Sequence, residues 1–237
     1  MATQKNQTAT KTEEEAATKP EEANVQPLPI GLDVRINSIY PPNTDSKLRA
    51  TASANMNGCF AVRGLKVYEG PKGLFVNMPS YKAASGKFKD YCYPVTKEFR
   101  DQLNKAVIDA FKQAVTQQGQ APVNGSAEPE PVPAPMKVDV RITTLTLGSE
   151  NQRASASVSL NDSFALKGVR IMEGENGLYV STPGYKSGDE YKEHYFPTTK
   201  EFRDQLHDSV LTAYAGAIAQ TAEQDFSGQG QTALAAM

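Results

Sequence analysis

The sequence predicts an α+β protein of two tandem repeats, each an antiparallel β-meander followed by a C-terminal amphipathic helix, packed as an intrachain pseudo-twofold dimer. Three observations predict it. The first is internal similarity: LDVRINSI around Asp33 matches VDVRITTL around Asp139, and Arg49 to Pro79 matches Arg153 to Pro183, 104 positions further on. Tyr93 to Leu103 (YPVTKEFRDQL) then matches Phe196 to Leu206 (FPTTKEFRDQL) at an offset of 103. A period of that kind marks a repeated structural unit. The second is strict alternation of apolar residues early in each block, the signature of half-buried strands. The third is an apolar stripe at helical spacing that closes each block.

The elements of the first repeat follow in order. Val34 and Ile36 flank Arg35 as a strand with one buried face requires, and Leu48, Ala50, Ala52, Ala54 and Met56 alternate in the same way. Asn57-Gly58 tolerates positive φ at both central positions and predicts a two-residue hairpin, with Asn161-Asp162 as its counterpart. Cys59 to Arg63 and Leu65 to Glu69 read as one strand bent at Gly64, because glycine within a strand pattern marks a bulge. EGPKG (Glu69 to Gly73) turns the chain into the strand LFVNM. The polar loop PSYKAASGKFKDYCYP carries one more short strand around Phe88 to Tyr93. Thr96 then caps a helix of about five turns, whose stripe is Phe99, Leu103, Ala106, Val107, Ala110, Phe111 and Ala114. A meander with one apolar face needs a cover, and this helix supplies it.

The repeats occupy 30–118 and 136–220. Residues 1–29 have almost no branched aliphatics and read as a disordered tail. Residues 119–135 hold five prolines in 17 residues and read as a semi-stiff linker. Residues 221–237 read as a flexible C-terminal tail. A unit of about 85 residues sits near the size at which a single core is marginal, so two tethered copies at high effective concentration are expected to pair; two independent beads are the alternative. No stretch of about 18 apolar residues is present, so no membrane span is expected. The first residues lack the apolar region of a secretory signal, which makes the cytoplasm the expected location. Cys59 and Cys92 can neither staple a chain of 237 residues nor complete a four-ligand zinc site, and both read as reduced, half-buried thiols. Neither metal nor cofactor is expected.

The strings DVRI, RATASANMNGCF, VYEGPKGLFVNMPS and FKDYCYP, followed by a helix, resemble the SpoVG (stage V sporulation protein G) family. The second repeat carries the same likeness through DVRI, RASASVSLNDSF, EGENGLYVSTP and YKEHYFP. The likeness covers each repeat nearly end to end. It implies a single-repeat homodimer fused into one chain, and a cytoplasmic regulator that binds DNA or RNA, linked to sporulation or septation. Where the family has Ser-Lys-Arg after its GLFV-x-MP run, this chain has Ser80, Tyr81 and Lys82, and in the second copy Gly184, Tyr185 and Lys186. One basic residue has become tyrosine in both copies, which weakens any phosphate contact there and offers a ring for stacking.

Charge distinguishes the copies. From Ile30 to Gln118 there are 13 Lys plus Arg against 7 Asp plus Glu; from Met136 to Gln220 there are 9 against 11. The first repeat is therefore the favoured contact for a polyanion. Lys82, Lys87 and Lys89 cluster beside Tyr81, a mixture suited to backbone contact and stacking, although a solvated lysine-rich loop reads the same way. On the helix, Lys97, Arg100 and Lys105 lie off the apolar stripe and are candidates for a groove or backbone contact, with Glu98 and Asp101 offering ordinary intrahelical ion pairs instead. In the second repeat Asp189, Glu190 and Glu193 sit among the loop lysines, which weakens that copy for polyanions and suits it mainly to be the pairing partner, a different ligand surface being equally allowed. Arg35 and Arg49 recur as Arg141 and Arg153, suited either to a ligand on the strand face or to structural pairing with Asp33 and Asp139. No nucleophile elbow, HExxH helix or P-loop is present, and the lone histidines His194 and His207 read as surface residues, so no catalytic residue is named and no enzyme is expected. The other reading is a protein-interaction scaffold without nucleic-acid binding, to which a net charge of −2 lends weight. Further self-association remains open, and no protein partner is identified.

Overall fold

The computed structural model describes residues 30–42, 46–117, 135–146 and 151–232. The expected tail 1–29 and residues 119–134 of the expected linker lie outside the described residues. In the first repeat β1 (Leu32–Ile39), β2 (Leu48–Met56), β3 (Phe60–Gly70) and β4 (Gly73–Asn77) form an antiparallel meander. A separate hairpin of β5 (Ser80–Lys82) and β6 (Phe88–Asp90) follows, then β7 (Cys92–Pro94) and α1 (Lys97–Gln117). The second repeat copies this order with β8 (Val138–Leu145), β9 (Gln152–Leu160), β10 (Phe164–Gly174), β11 (Gly177–Ser181), β12 (Gly184–Ser187), β13 (Glu190–Glu193), β14 (Tyr195–Pro197) and α2 (Lys200–Thr232).

The β2–β3 turn is built as its residues dictate. Asn57 and Gly58 take φ of 50° and 65°, and the Cys59 N–H donates to Met56 O at 3.1 Å. The Asn57 side chain adds a lock, accepting the Gly31 N–H at 2.7 Å; Asn161 accepts the Lys137 N–H in the same way at 2.6 Å. Each asparagine thus ties the turn to the chain entering its repeat's first strand. Gly64, at φ 80°, is the extra residue between the pairs Ser53–Arg63 and Ala52–Leu65. Inserting one residue shifts strand parity, so Val62 and Leu65, three positions apart, both enter the core.

Helix α1 starts as expected, with the Phe99 N–H donating to Thr96 Oγ1 at 3.2 Å. Phe99, Leu103, Val107 and Phe111 are buried against a sheet face lined by Ala50, Ala52 and Ala54, whose small side chains admit the helix. Helix α2 runs on to Thr232, beyond the end near residue 220 that the sequence suggests. No described helix is long and apolar enough to cross a membrane.

The two repeats are joined by reciprocal strand exchange. β7 of the first repeat pairs with β10 of the second, setting Cys92 opposite Leu166 and Pro94 opposite Phe164. β14 of the second pairs with β3 of the first, with Tyr195 opposite Val62 and Pro197 opposite Phe60. Flanking backbone bonds extend both exchanges: Arg63 N–H to His194 O and Lys167 N–H to Tyr91 O, each 2.7 Å. Phe60 meets Phe202 edge-on at 5.8 Å, and Phe99 meets Phe164 edge-on at 5.9 Å, so buried residues of both repeats form one core. Such mirrored contacts are what a twofold interface requires, and they exclude independent beads. The expected single strand over Phe88 to Tyr93 is divided at Tyr91. β6 turns back onto β5, which the sequence reading leaves as loop, and β7 departs to the other repeat.

Tyr195 is fully buried, packs against Phe60 at 6.0 Å and donates its hydroxyl to Lys167 O at 2.6 Å. Removing only that hydroxyl in Tyr195→Phe is expected to cost about 1–2 kcal/mol, and Tyr195→Ala about 3–5 kcal/mol, read from urea denaturation midpoints. Equal midpoints for wild type and Tyr195→Ala would show that the exchanged strand contributes nothing to stability.

Candidate functional site

The exchange sets the position of the two small hairpins. In the first, Ser80 pairs with Asp90, Tyr81 with Lys89 and Lys82 with Phe88, and directly opposed residues share a face. Tyr81 and Lys89 therefore occupy one face, and Ser80, Lys82, Phe88 and Asp90 the other. Lys87 lies in the turn, where Ala83 N–H donates to Lys87 O at 2.9 Å. The lysine cluster expected from the sequence is thus split between two faces. No described carboxylate lies within ion-pair distance of Lys82, Lys87 or Lys89.

The Tyr81 face meets the pseudo-twofold axis in a row of four rings. Tyr81 stands 4.8 Å from Tyr91, Tyr91 stacks on His194 at 4.3 Å, and His194 lies 5.0 Å from Tyr185. Tyr91 and His194 are equivalent positions, each directly preceding its exchanged strand, so the exchange itself brings them together. Burial raises the Tyr91 phenol above its ordinary range, and Tyr81 and Tyr191 add to the shift. Burial, aided by Lys66, lowers the His194 imidazole, whose Nδ1 is buried without a hydrogen-bond partner. Cations flank the row symmetrically. The Arg63 guanidinium lies 4.2 Å over the Phe196 ring and Lys167 Nζ lies 4.7 Å over Tyr93. Lys66 and Arg170, also equivalent, bear on His194 and Tyr91. Sequence reasoning missed these four. Their signal was recurrence of a basic residue at the same strand position in both copies, and it shows that positive charge near the axis is shared between repeats.

In the second hairpin Tyr185 pairs with Lys192 and Lys186 with Tyr191. Acids answer the bases there: Lys192 contacts Glu190 at 3.6 Å, and Thr182 donates to Glu193.

Of the helix candidates, Arg100 reaches a cavity. It donates Nη2 to Pro94 O at 3.2 Å and lines a groove of about 580 Å³ between α1, β3, β4 and the first hairpin, with Lys66, Phe88, Asp90, Tyr93 and Asn104. Burial raises the Asp90 carboxyl, opposed by Lys167 and Arg100. Lys97 is exposed on the first turn and lines no part of the groove. Lys105 is paired with Asp109 at 2.8 Å, one turn along an exposed face. Arg49 bonds Glu69 at 2.7 Å and Arg153 bonds Glu173, so the partners of this pair are cross-strand glutamates and not Asp33 or Asp139. Arg35 and Arg141 are exposed. Cys59 is half-buried, but Cys92 is sealed within the core at the exchange, where burial pushes its thiol far up.

The SpoVG family model matches residues 31–113 and 136–216, about two-thirds of the chain. A candidate septation protein SpoVG of Caldicellulosiruptor saccharolyticus is 38% identical over 84 residues, covering 92% of that protein and 35% of this chain. Another of Symbiobacterium thermophilum is 43% identical over 96 residues, 66% of its length and 40% of this chain. A third, of Treponema denticola, is 35% identical over 88 residues, 91% of its length and 37% of this chain.

His194 carries a pH prediction. Its imidazole titrates lower folded than unfolded, so the unfolded chain binds the extra proton. Stability from this group is complete above the unfolded value of about 6.5 and falls as pH drops through the folded value. Urea midpoints of wild type should fall between pH 7.5 and 5, and the fall should shrink in His194→Gln. An unchanged slope in the variant would remove His194 as the source.

Proposed function

The chain belongs to the SpoVG family and carries its domain twice, and we propose that it is a non-enzymatic regulatory protein that binds DNA or RNA in the control of sporulation or septation. Septation enters through the names of its relatives. One observation carries the nucleic-acid reading: Lys82, Lys87 and Lys89 have no carboxylate partner among the described residues, and each face of their hairpin sets a lysine beside an exposed ring, Lys89 with Tyr81 next to the ring row and Lys82 with Phe88. Lysines that make no internal ion pair are free to neutralise phosphates and release counterions, and exposed rings offer sequence-tolerant stacking. The first repeat is favoured because the lysines of the second hairpin lie among Asp189, Glu190 and Glu193.

Fluorescence anisotropy with labelled DNA and RNA oligonucleotides tests this. Changing Lys82, Lys87 and Lys89 together to Ala should weaken binding by roughly tenfold or more and flatten the salt dependence by about 2–3 in log-log slope. Lys186→Ala with Lys192→Ala should do less. Equal effects would overturn the asymmetry, and absence of binding at about 50 mM salt would leave the protein-scaffold reading in its place.

A further inference from the structure

The groove beneath the first hairpin is not a necessary product of the fold. Its twin in the second repeat measures about 270 Å³ against 580 Å³. The hairpins that border them differ: the first ends its pairing at Lys82 and Phe88, the second runs one pair further to Ser187 and Glu190. In the second hairpin the Lys192 carbonyl and the Tyr191 ring both close on Gly184, where a Cβ would stand only 2.6 Å from each. Ser80 occupies the equivalent place in the first hairpin, and with a Cβ there neither the opposite strand nor its ring can close in that way. Phe88 lines the groove instead, 73% exposed, the most exposed large apolar side chain among the described residues. In the twin, Glu193 is tied by Thr182, and His207 stands where the first repeat has Asn104.

The lining of the larger groove fits a particular ligand class. Phe88 and Tyr93 present rings, Asn77 and Asn104 present amides that both donate and accept, and Lys66 and Arg100 are cationic. Its volume lies within the range of small-ligand sites, about 300–1,000 Å³. Asp90 lies among them. A carboxylate at that place opposes a phosphate in the groove but can accept from the N–H edge of a base. Rings can receive a base only after it has left its stack, a step that costs little in a single strand and several kcal/mol in a duplex.

From these observations we propose that the groove takes one unstacked base of a single-stranded nucleic acid, with Phe88 as its stacking platform and Asn77, Asn104 and Asp90 at its polar edge. This rests on the nucleic-acid reading above and narrows it to single strands.

The test is anisotropy on the full chain with a fluorescein-labelled mixed-sequence 12-mer, as DNA and as RNA, each single-stranded and annealed to its complement. Wild type should bind the single strand at least about fivefold more tightly than the duplex. Phe88→Ala should weaken single-strand binding by roughly five- to a hundredfold while leaving duplex binding and the melting temperature unchanged. Asn104→Leu should act in the same direction, and Tyr191→Ala should stay within about twofold, since its ring is absent from the twin groove. The inference is overturned if Phe88→Ala leaves single-strand binding intact, lowers duplex binding equally, or is matched by Tyr191→Ala. In each of those outcomes the lysine variants still weaken binding; only absence of binding to every oligonucleotide removes the wider function as well.

Discussion

The structure depends on a backbone shortage in β3. Its C-terminal half is paired by β4, but on that edge its N-terminal half, Phe60 to Val62, has no partner within its own repeat. Unpaired donors and acceptors beside a buried core are costly, and the other repeat supplies the remedy as β14, with β7 returning it to β10. Three residues of strand do not hold themselves in place. Burial of Tyr195 and Cys92, and the phenylalanines crossing at Phe60–Phe202 and Phe99–Phe164, do so. Placement of the candidate site follows from this: once β7 and β14 cross over, Tyr91 and His194 must meet at the axis, and each hairpin preceding them is drawn beside the other.

Much of the repeat was legible because its signals are local. Asn57-Gly58 needs only its own φ values, Gly64 only the parity of Val62 and Leu65, and Thr96 only the three residues after it. The exchange left no such mark. Cys92, Tyr93 and Pro94 form too short a run to show alternation, and their partners Leu166 to Phe164 lie some seventy positions away. The site was half legible for the same reason. Lysines and rings in the loop stood out by composition, yet which of them share a face depends on the pairing of Lys82 with Phe88, set by the turn at Gly86. Asp33, offered as a structural partner for Arg49, lies on the adjacent strand but opposite Asn55, six positions away, while the sheet delivers Glu69 from the other neighbouring strand. Lys66 and Arg170 carry no local signal, because only the exchange brings the rings towards them.

Fusion of the two copies removes a restriction that a homodimer cannot escape. In a symmetric pair every change appears twice, so a cavity opened on one side opens on the other. Here equivalent positions have parted company: Tyr91 and His194, Cys92 and Tyr195, Ser80 and Gly184, Asn104 and His207. Cys92 shows that the buried strand tolerates divergence, since the volume of Tyr195 is needed on one side only. Ser80 and Gly184 show divergence with a consequence, since Gly184 allows a close approach of backbone and ring that a Cβ at Ser80 bars, and Phe88 lines the groove. The result is a scaffold with a nearly symmetric core and an unsymmetric surface. A palindromic duplex gains nothing from such a surface, because its two half-sites would meet unlike halves of the protein. A single strand has direction and no dyad, and is the kind of nucleic acid to which two unlike halves can both contribute.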